Sequence, residues 1–165
     1  MTRVISPNFS RLDRKTRNLV QRMARFDLAD RLELIENTFG RIAFRSGFTL
    51  ADQVLTHALV SNKTRFETVL LAGGTRSGAN HESVQNITRD LYDLKFKDGL
   101  SNDIELVLAT DHPGKGEFIE RDSKGTTLLV NPLADWSNEK LVEYVLAHEV
   151  PVNPEDMPGF SSKVA

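Results

Sequence analysis

The sequence predicts an α/β fold: a mostly parallel twisted sheet with helices on both faces, preceded by N-terminal helices. Three observations carry that prediction. Short apolar runs at 41–44, 66–71, 104–109 and 126–130 alternate with stretches whose apolar residues recur at helical spacing. The first two runs pass through Gly-containing segments into helical ones, as βαβ units do. The 165 residues, 39% hydrophobic and 27% charged, make one domain of ordinary size with a core of its own. The expected division is a helical segment over 1–38 and an α/β core over 39–165.

Residues 12–25 and 28–37 read as two helices, the second helped by Asp30 in its first turn and ended at Gly40. Residues 41–44 follow as a buried strand, 45–49 as a loop, and 51–60 as a helix with Val54, Leu55, Ala58 and Leu59 facing inward. The second strand, 66–71, leads into a loop at 72–78, and Asn80 or His81 opens a helix through about Tyr92. The third strand is 104–109. The polar stretch 110–124 predicts a hairpin or loop in which Phe118 and Ile119 pair back towards Leu128 and Leu129. A strand at 126–130 is closed by Asn131-Pro132. Ser137 then N-caps a helix with Leu141, Val142, Val145 and Leu146 on one face, stopped by Pro151 and Pro154. Trp136 is expected to plug the core beneath the sheet.

Charge excludes some classes. A net charge of −2 gives no global case for nucleic acid. Residues 1–25, however, carry seven Arg and Lys against Asp13 alone, a basic start that suits a transit segment, a nucleic-acid contact or a docking helix over 9–26. An ordinary first helix, with Leu12, Leu19, Val20, Met23 and Phe26 facing inward, is the favoured reading. No apolar run approaches a membrane span and no secretory signal is visible, so an intracellular, cytoplasmic protein is expected. With no cysteine and four scattered histidines, no disulfide, metal site or cofactor is assigned.

In open parallel sheets ligands sit beyond the carboxyl ends of the strands, where both Gly-containing loops fall. Ser46 and Gly47, leading into a helix, make a candidate anion cradle through backbone N–H groups and the helix dipole. From the second loop, Gly74 could admit a ligand and Arg76 could pair with a phosphate. An ordinary strand-to-helix turn is the alternative for the first loop, and a surface loop for the second.

The string VNPLADWSNEKLVEYVLAHEVPVNPEDMPGF at 130–160 resembles the C-terminal core segment of the phosphoadenylyl-sulfate (PAPS) and adenylyl-sulfate (APS) reductase family. There an Asn-Pro-Leu-Ala-Asp-Trp-Ser/Thr corner begins a helix that ends in Val-Pro-Tyr-Asn-Pro. The string RIAFRSGFTLADQVLTHALV at 41–60 resembles the family's first loop: Ser46, Phe48, Asp52, Gln53, Val54 and Leu55 keep its pattern, whereas Thr49 stands for a Gly and Ala51 for a Glu. Leu71, Arg76 and Glu82 can be placed on the second loop, whose acid is absent. The paired cysteines and the Arg-rich stretch of the family find no counterpart. The resemblance implies an adenine nucleotide α-hydrolase-like fold with a nucleotide or phosphate site at Ser46, Gly47, Asp52, Gly74 and Arg76. It also implies a cysteine nucleophile, which this sequence lacks, beyond the position of Ala165. The expectation is therefore a PAPS reductase-like protein, catalytically degraded, with a weak residual adenine-nucleotide pocket. The alternative is a structural subunit of a larger assembly, with a homo-oligomer left open. ATP-dependent adenylation ranks last, because 45–49 lacks a Ser-Gly-Gly-x-Asp-Ser motif.

Overall fold

The computed structural model describes residues 13–66, 69–71, 79–97, 104–110, 117–121 and 127–158. Two helices lead, α1 (Arg14–Met23) and α2 (Leu28–Thr38), each opened by an aspartate N-cap: Asp13 accepts from the Thr16 N–H and Asp27 from the Asp30 N–H. The strands are β1 (Ile42–Ser46), β2 (Val69–Leu71), β3 (Phe96–Lys97), β4 (Leu106–Leu108), β5 (Ile119–Arg121) and β6 (Leu128–Val130). Helix α3 (Leu50–Ser61) joins β1 to β2, α4 (Ala79–Tyr92) joins β2 to β3, and α5 (Asn138–His148) follows β6.

The six strands lie in the order β3-β2-β1-β4-β6-β5, parallel except at β5. The expected hairpin is present as an antiparallel β5–β6 pair, with Ile119 opposite Val130 and Glu120 opposite Leu129. Strand parity divides the core. Ile42 and Phe44, Leu106 and Leu108, and Leu128 and Val130 join buried side chains of α1, α2, α3 and α5 in one large cluster. Ala43, Val107 and Leu129 point the other way and form a smaller cluster with Ile104 and Ala109.

Several boundaries differ from the sequence expectation. The first strand runs on through Arg45 and Ser46, which were expected in the loop, because the parallel ladders of β2 and β4 extend it on both sides. The two-residue β3 had no period to reveal it. Helix α5 ends before either proline: Glu149 takes a left-handed conformation (φ 53°) and its N–H bonds the Val145 carbonyl. Pro154 instead opens a 3-10 turn capped by Asn153. Leu146, expected on the buried face, is exposed. Trp136 is half-buried rather than a core plug, lying beside Tyr144 and under the Lys140 ammonium. Leu12 lies outside the described residues, while Leu19 and Met23 of α1 pack into the chain's own core.

A candidate nucleotide site at the strand-order switch

The chain steps outward from β1 to β2 and β3, then returns to place β4 on the other side of β1. The order reverses between β1 and β4, and in open parallel sheets such a switch point is where ligands bind beyond the carboxyl ends of the strands. Residues 46–52 line that point from β1, and Thr110 lies just past β4.

One carboxylate organises it. Asp52, in the first turn of α3, accepts from the Gly47 N–H at 2.8 Å and from the Thr49 N–H at 3.4 Å through Oδ2. Its Oδ1 accepts from the Thr110 hydroxyl at 2.6 Å, tying α3 to β4 across 58 positions of sequence. The Thr49 hydroxyl accepts in turn from the Asp52 N–H, completing a capping box. Asp52 is only 2% exposed, and its described partners are all neutral. Burial pushes its carboxyl pKa above the usual range, against the opposing pull of the bonds from Thr110, Gly47 and Thr49.

Two local features mark the loop further. Phe48, bulky and buried, sits at φ 59°, a conformation that costs an L side chain energy. It is held there by edge-on contacts of its ring with His81 and Phe96 and by its N–H bond to Ser46 Oγ. Thr49, which replaces the family's glycine, sits at φ −70°, so no glycine is required at that position, and its hydroxyl supplies the helix cap. Beside Asp52, Gln53 donates to Thr88 Oγ1 and to the Pro151 carbonyl, joining α3 to α4 and to the segment after α5.

Of the residues expected in the site, Ser46, Gly47 and Asp52 are brought together, but not in the expected way. Ser46 was expected to offer an open N–H from a loop; it is instead the last residue of β1, with its hydroxyl turned to Phe48. The Gly47 N–H, also expected to be open, is donated to Asp52. Asp52 thus shapes the loop from inside. Gly74 and Arg76 lie outside the described residues. Thr110 was missed, since its role depends on β4 lying next to β1, a non-local fact.

A second junction was also missed. Arg31 of α2 donates from Nε to the Met23 carbonyl, from Nη1 to the Pro132 carbonyl, and from Nη1 and Nη2 to the two oxygens of Asp135 at 2.7 and 2.8 Å. Its guanidinium lies over the Phe118 ring. This pair locks the Asn-Pro-Leu-Ala-Asp corner, whose turn begins with Asn131 Oδ1 accepting from the Leu133 N–H.

No protein-family model matches the chain. The adenosine 5'-phosphosulfate reductase of Rhizobium meliloti (strain 1021) is 26% identical over 182 residues, covering 82% of this chain and 68% of that protein. That of Sinorhizobium fredii (strain NBRC 101917 / NGR234) is 25% identical over 197 residues, covering 92% and 78%. The chain is related to the PAPS/APS reductases. Its fold agrees: the PAPS reductase of Candida auris, solved as a phosphate complex, superposes with a TM-score of 0.74 at 13% identity, over 92% of this chain and 94% of that one. Among the described residues no helix is long and apolar enough to cross a membrane.

Proposed function

We propose that this sulfonucleotide-reductase relative binds an adenine nucleotide weakly at the β1/β4 crevice and performs no thiol chemistry of its own. The observation that carries the reading is Asp52: a buried carboxylate with only neutral described partners, where the parallel strand order reverses between β1 and β4. A carboxyl whose pKa is raised by burial at such a switch point is a candidate functional group. The strained Phe48 on the same loop supports it. In this reading Asp52 is a positioning residue that fixes the loop. Because the 165 residues hold no cysteine, the thiolate attack that the family resemblance calls for cannot occur on this chain alone.

The second reading, an assembly subunit that has kept the fold and lost the ligand, is favoured by the same loop. Its Gly47 and Thr49 N–H groups already have an acceptor in Asp52. Calorimetric titration with adenosine 5'-phosphosulfate and with adenosine phosphates separates the two. The nucleotide reading expects heat with a Kd of roughly micromolar to millimolar, lost in Gly47→Val and Arg76→Ala. No heat at millimolar ligand leaves the subunit reading. In either case a thioredoxin-coupled assay should give no sulfite above background.

A further inference from the structure

Two histidines far apart in sequence are brought together where α5 packs on α3. The rings of His57 and His148 stand 5.0 Å apart between centroids, tilted by 38°. Tyr144, one turn before His148, reaches the same place: its hydroxyl lies 2.7 Å from His57 Nδ1 and its ring 4.2 Å from that of His148. One turn on from His57 in α3, the Ser61 hydroxyl lies 3.3 Å from Nε2 and 3.4 Å from Nδ1. Tyr92 of α4 meets the His57 ring edge-on. No carboxylate pairs with either imidazole among the described residues.

These separations suit donors around one ion. A divalent transition ion about 2.1 Å from each donor holds two imidazole centroids about 5 Å apart and two donor atoms roughly 3.3 Å apart. When Nδ1–H of His57 is donated to the Tyr144 oxygen, Nε2 becomes the basic nitrogen, beside Ser61 Oγ; ligating histidines are oriented in this way through their other nitrogen. Burial, and then His148, lower the His57 pKa, which favours the neutral imidazole that metals require. Burial pushes the Tyr144 hydroxyl up to about 12, so it stays protonated and orients the ring instead of ligating as a phenolate. His148 ends α5, where the helix dipole favours a cation. No three His, Asp or Glu side chains converge on a metal position among the described residues, so water completes the coordination sphere. The sequence holds no cysteine, hence no thiolate competes for the ion.

We propose that His57 and His148 together bind one divalent transition-metal ion of the Zn²⁺ class, with Ser61 as an auxiliary oxygen donor and Tyr144 as a positioning residue, and that the ion staples α3 to α5. Imidazole nitrogen selects Zn²⁺, Ni²⁺ or Cu²⁺ over Mg²⁺ and Ca²⁺, which take oxygen ligands. Aromatic packing alone accounts for the ring contacts, but not for two imidazoles held side by side without an acid. Spacing along the sequence does not reveal the pair, because its members sit on different helices. None of these residues belongs to the 46–52 loop, so the proposal is independent of the nucleotide reading.

Calorimetric titration of the full chain with Zn²⁺ tests it. Saturable uptake of a single ion is expected, with a Kd of roughly 1–100 μM. Zn²⁺ should raise the unfolding temperature as its concentration rises past that Kd, and Mg²⁺ should not. His57→Asn and His148→Asn should each weaken binding roughly tenfold or more. Tyr144→Phe, which keeps both ligands, should weaken it less, and His81→Asn should leave it unchanged. Nitrogen NMR of the native chain needs no variant: Zn²⁺ should shift the His57 Nε2 signal and a ring-nitrogen signal of His148, with His57 Nδ1 still protonated. A native chain without saturable Zn²⁺ uptake overturns the proposal. So does binding that either His57→Asn or His148→Asn leaves intact, or Zn²⁺ that shifts only the signals of the other histidines.

Discussion

At the carboxyl ends of the strands, two aspartates join parts of the chain that are far apart in sequence, and their electrostatics are opposite. Asp135 meets a guanidinium. Arg31, with a side chain 5% exposed, gives it two parallel hydrogen bonds, while Asp135 itself stays 47% exposed to solvent. The bond from Arg31 holds the Asp135 carboxyl below its ordinary range. Asp52 meets two backbone N–H groups and a hydroxyl, all neutral, and burial raises its pKa instead. A cation-matched carboxylate closes a seam and asks for nothing more. A carboxylate satisfied by dipoles alone remains a place where an added ligand or proton changes the energy. That difference separates the structural corner at 131–135 from the candidate site at 46–52.

The largest expected effect is at the matched pair. Arg31→Met strips the Met23 and Pro132 carbonyls of their donor and leaves Asp135 unpaired, at a cost of roughly 3 kcal/mol or more in denaturant unfolding. Arg31→Lys recovers little, because an ammonium cannot make the fork. Asp135→Ala should cost about as much, roughly 3 kcal/mol, because it leaves the buried Arg31 guanidinium without its counter-charge. A loss below about 1 kcal/mol from Asp135→Ala would break the comparison.

At the neutral junction, Asp52→Ala leaves the Gly47 and Thr49 N–H groups and the Thr110 hydroxyl without their acceptor and removes half of the capping box. About 2–3 kcal/mol of stability should go with it. The pH dependence distinguishes the two aspartates more sharply. Asp52 has a folded pKa above its unfolded 3.8, so the native state binds the extra proton and stability falls as pH rises through the folded value. Asp135 has a folded pKa below 3.8, so its contribution is present above 3.8 and lost as pH falls through the folded value. Unfolding followed from pH 3 upwards in Asp52→Asn and Asp135→Asn should therefore change slope in opposite senses.

How much of this was legible in the sequence follows from how local each signal is. The helices, the Ser137 cap and the hairpin rest on neighbouring residues and could be read directly. The glycine absent at 49 suggested a damaged loop, yet a threonine in extended conformation both fits and caps. No local signal in the sequence singles out Arg31, and only the packing of α2 against the corner shows it buried. Thr110 and the reach of Asp52 depend on which strand lies beside β1. Hydropathy periods carry no information about strand order.

Smaller effects are expected on the far side of α3. Trp136→Ala should cost about 1–2 kcal/mol, the price of a half-buried ring rather than a core plug. A midpoint shift as large as that of Arg31→Met would place the tryptophan in the core after all. Beside it, the His57 ring nitrogen Nδ1 lies 2.7 Å from the Tyr144 hydroxyl, and burial together with nearby His148 lowers the His57 pKa from 6.5. A histidine with a depressed folded pKa contributes stability above 6.5 that is lost as pH falls through the folded value. His57→Asn should flatten that slope slightly and leave the acid-range slopes of the two aspartates unchanged.

The central claim is that the β1/β4 crevice around Asp52 takes an adenine nucleotide, and amide chemical-shift mapping on the isotope-labelled full chain tests it most directly. Titration with adenosine 5'-phosphosulfate to millimolar concentration should move the N–H signals of Gly47, Phe48, Thr49 and Thr110 together along one saturation curve, with those of Asp135 and Trp136 unmoved. Signals that stay in place throughout, or that shift only away from the 46–52 loop, would contradict the account.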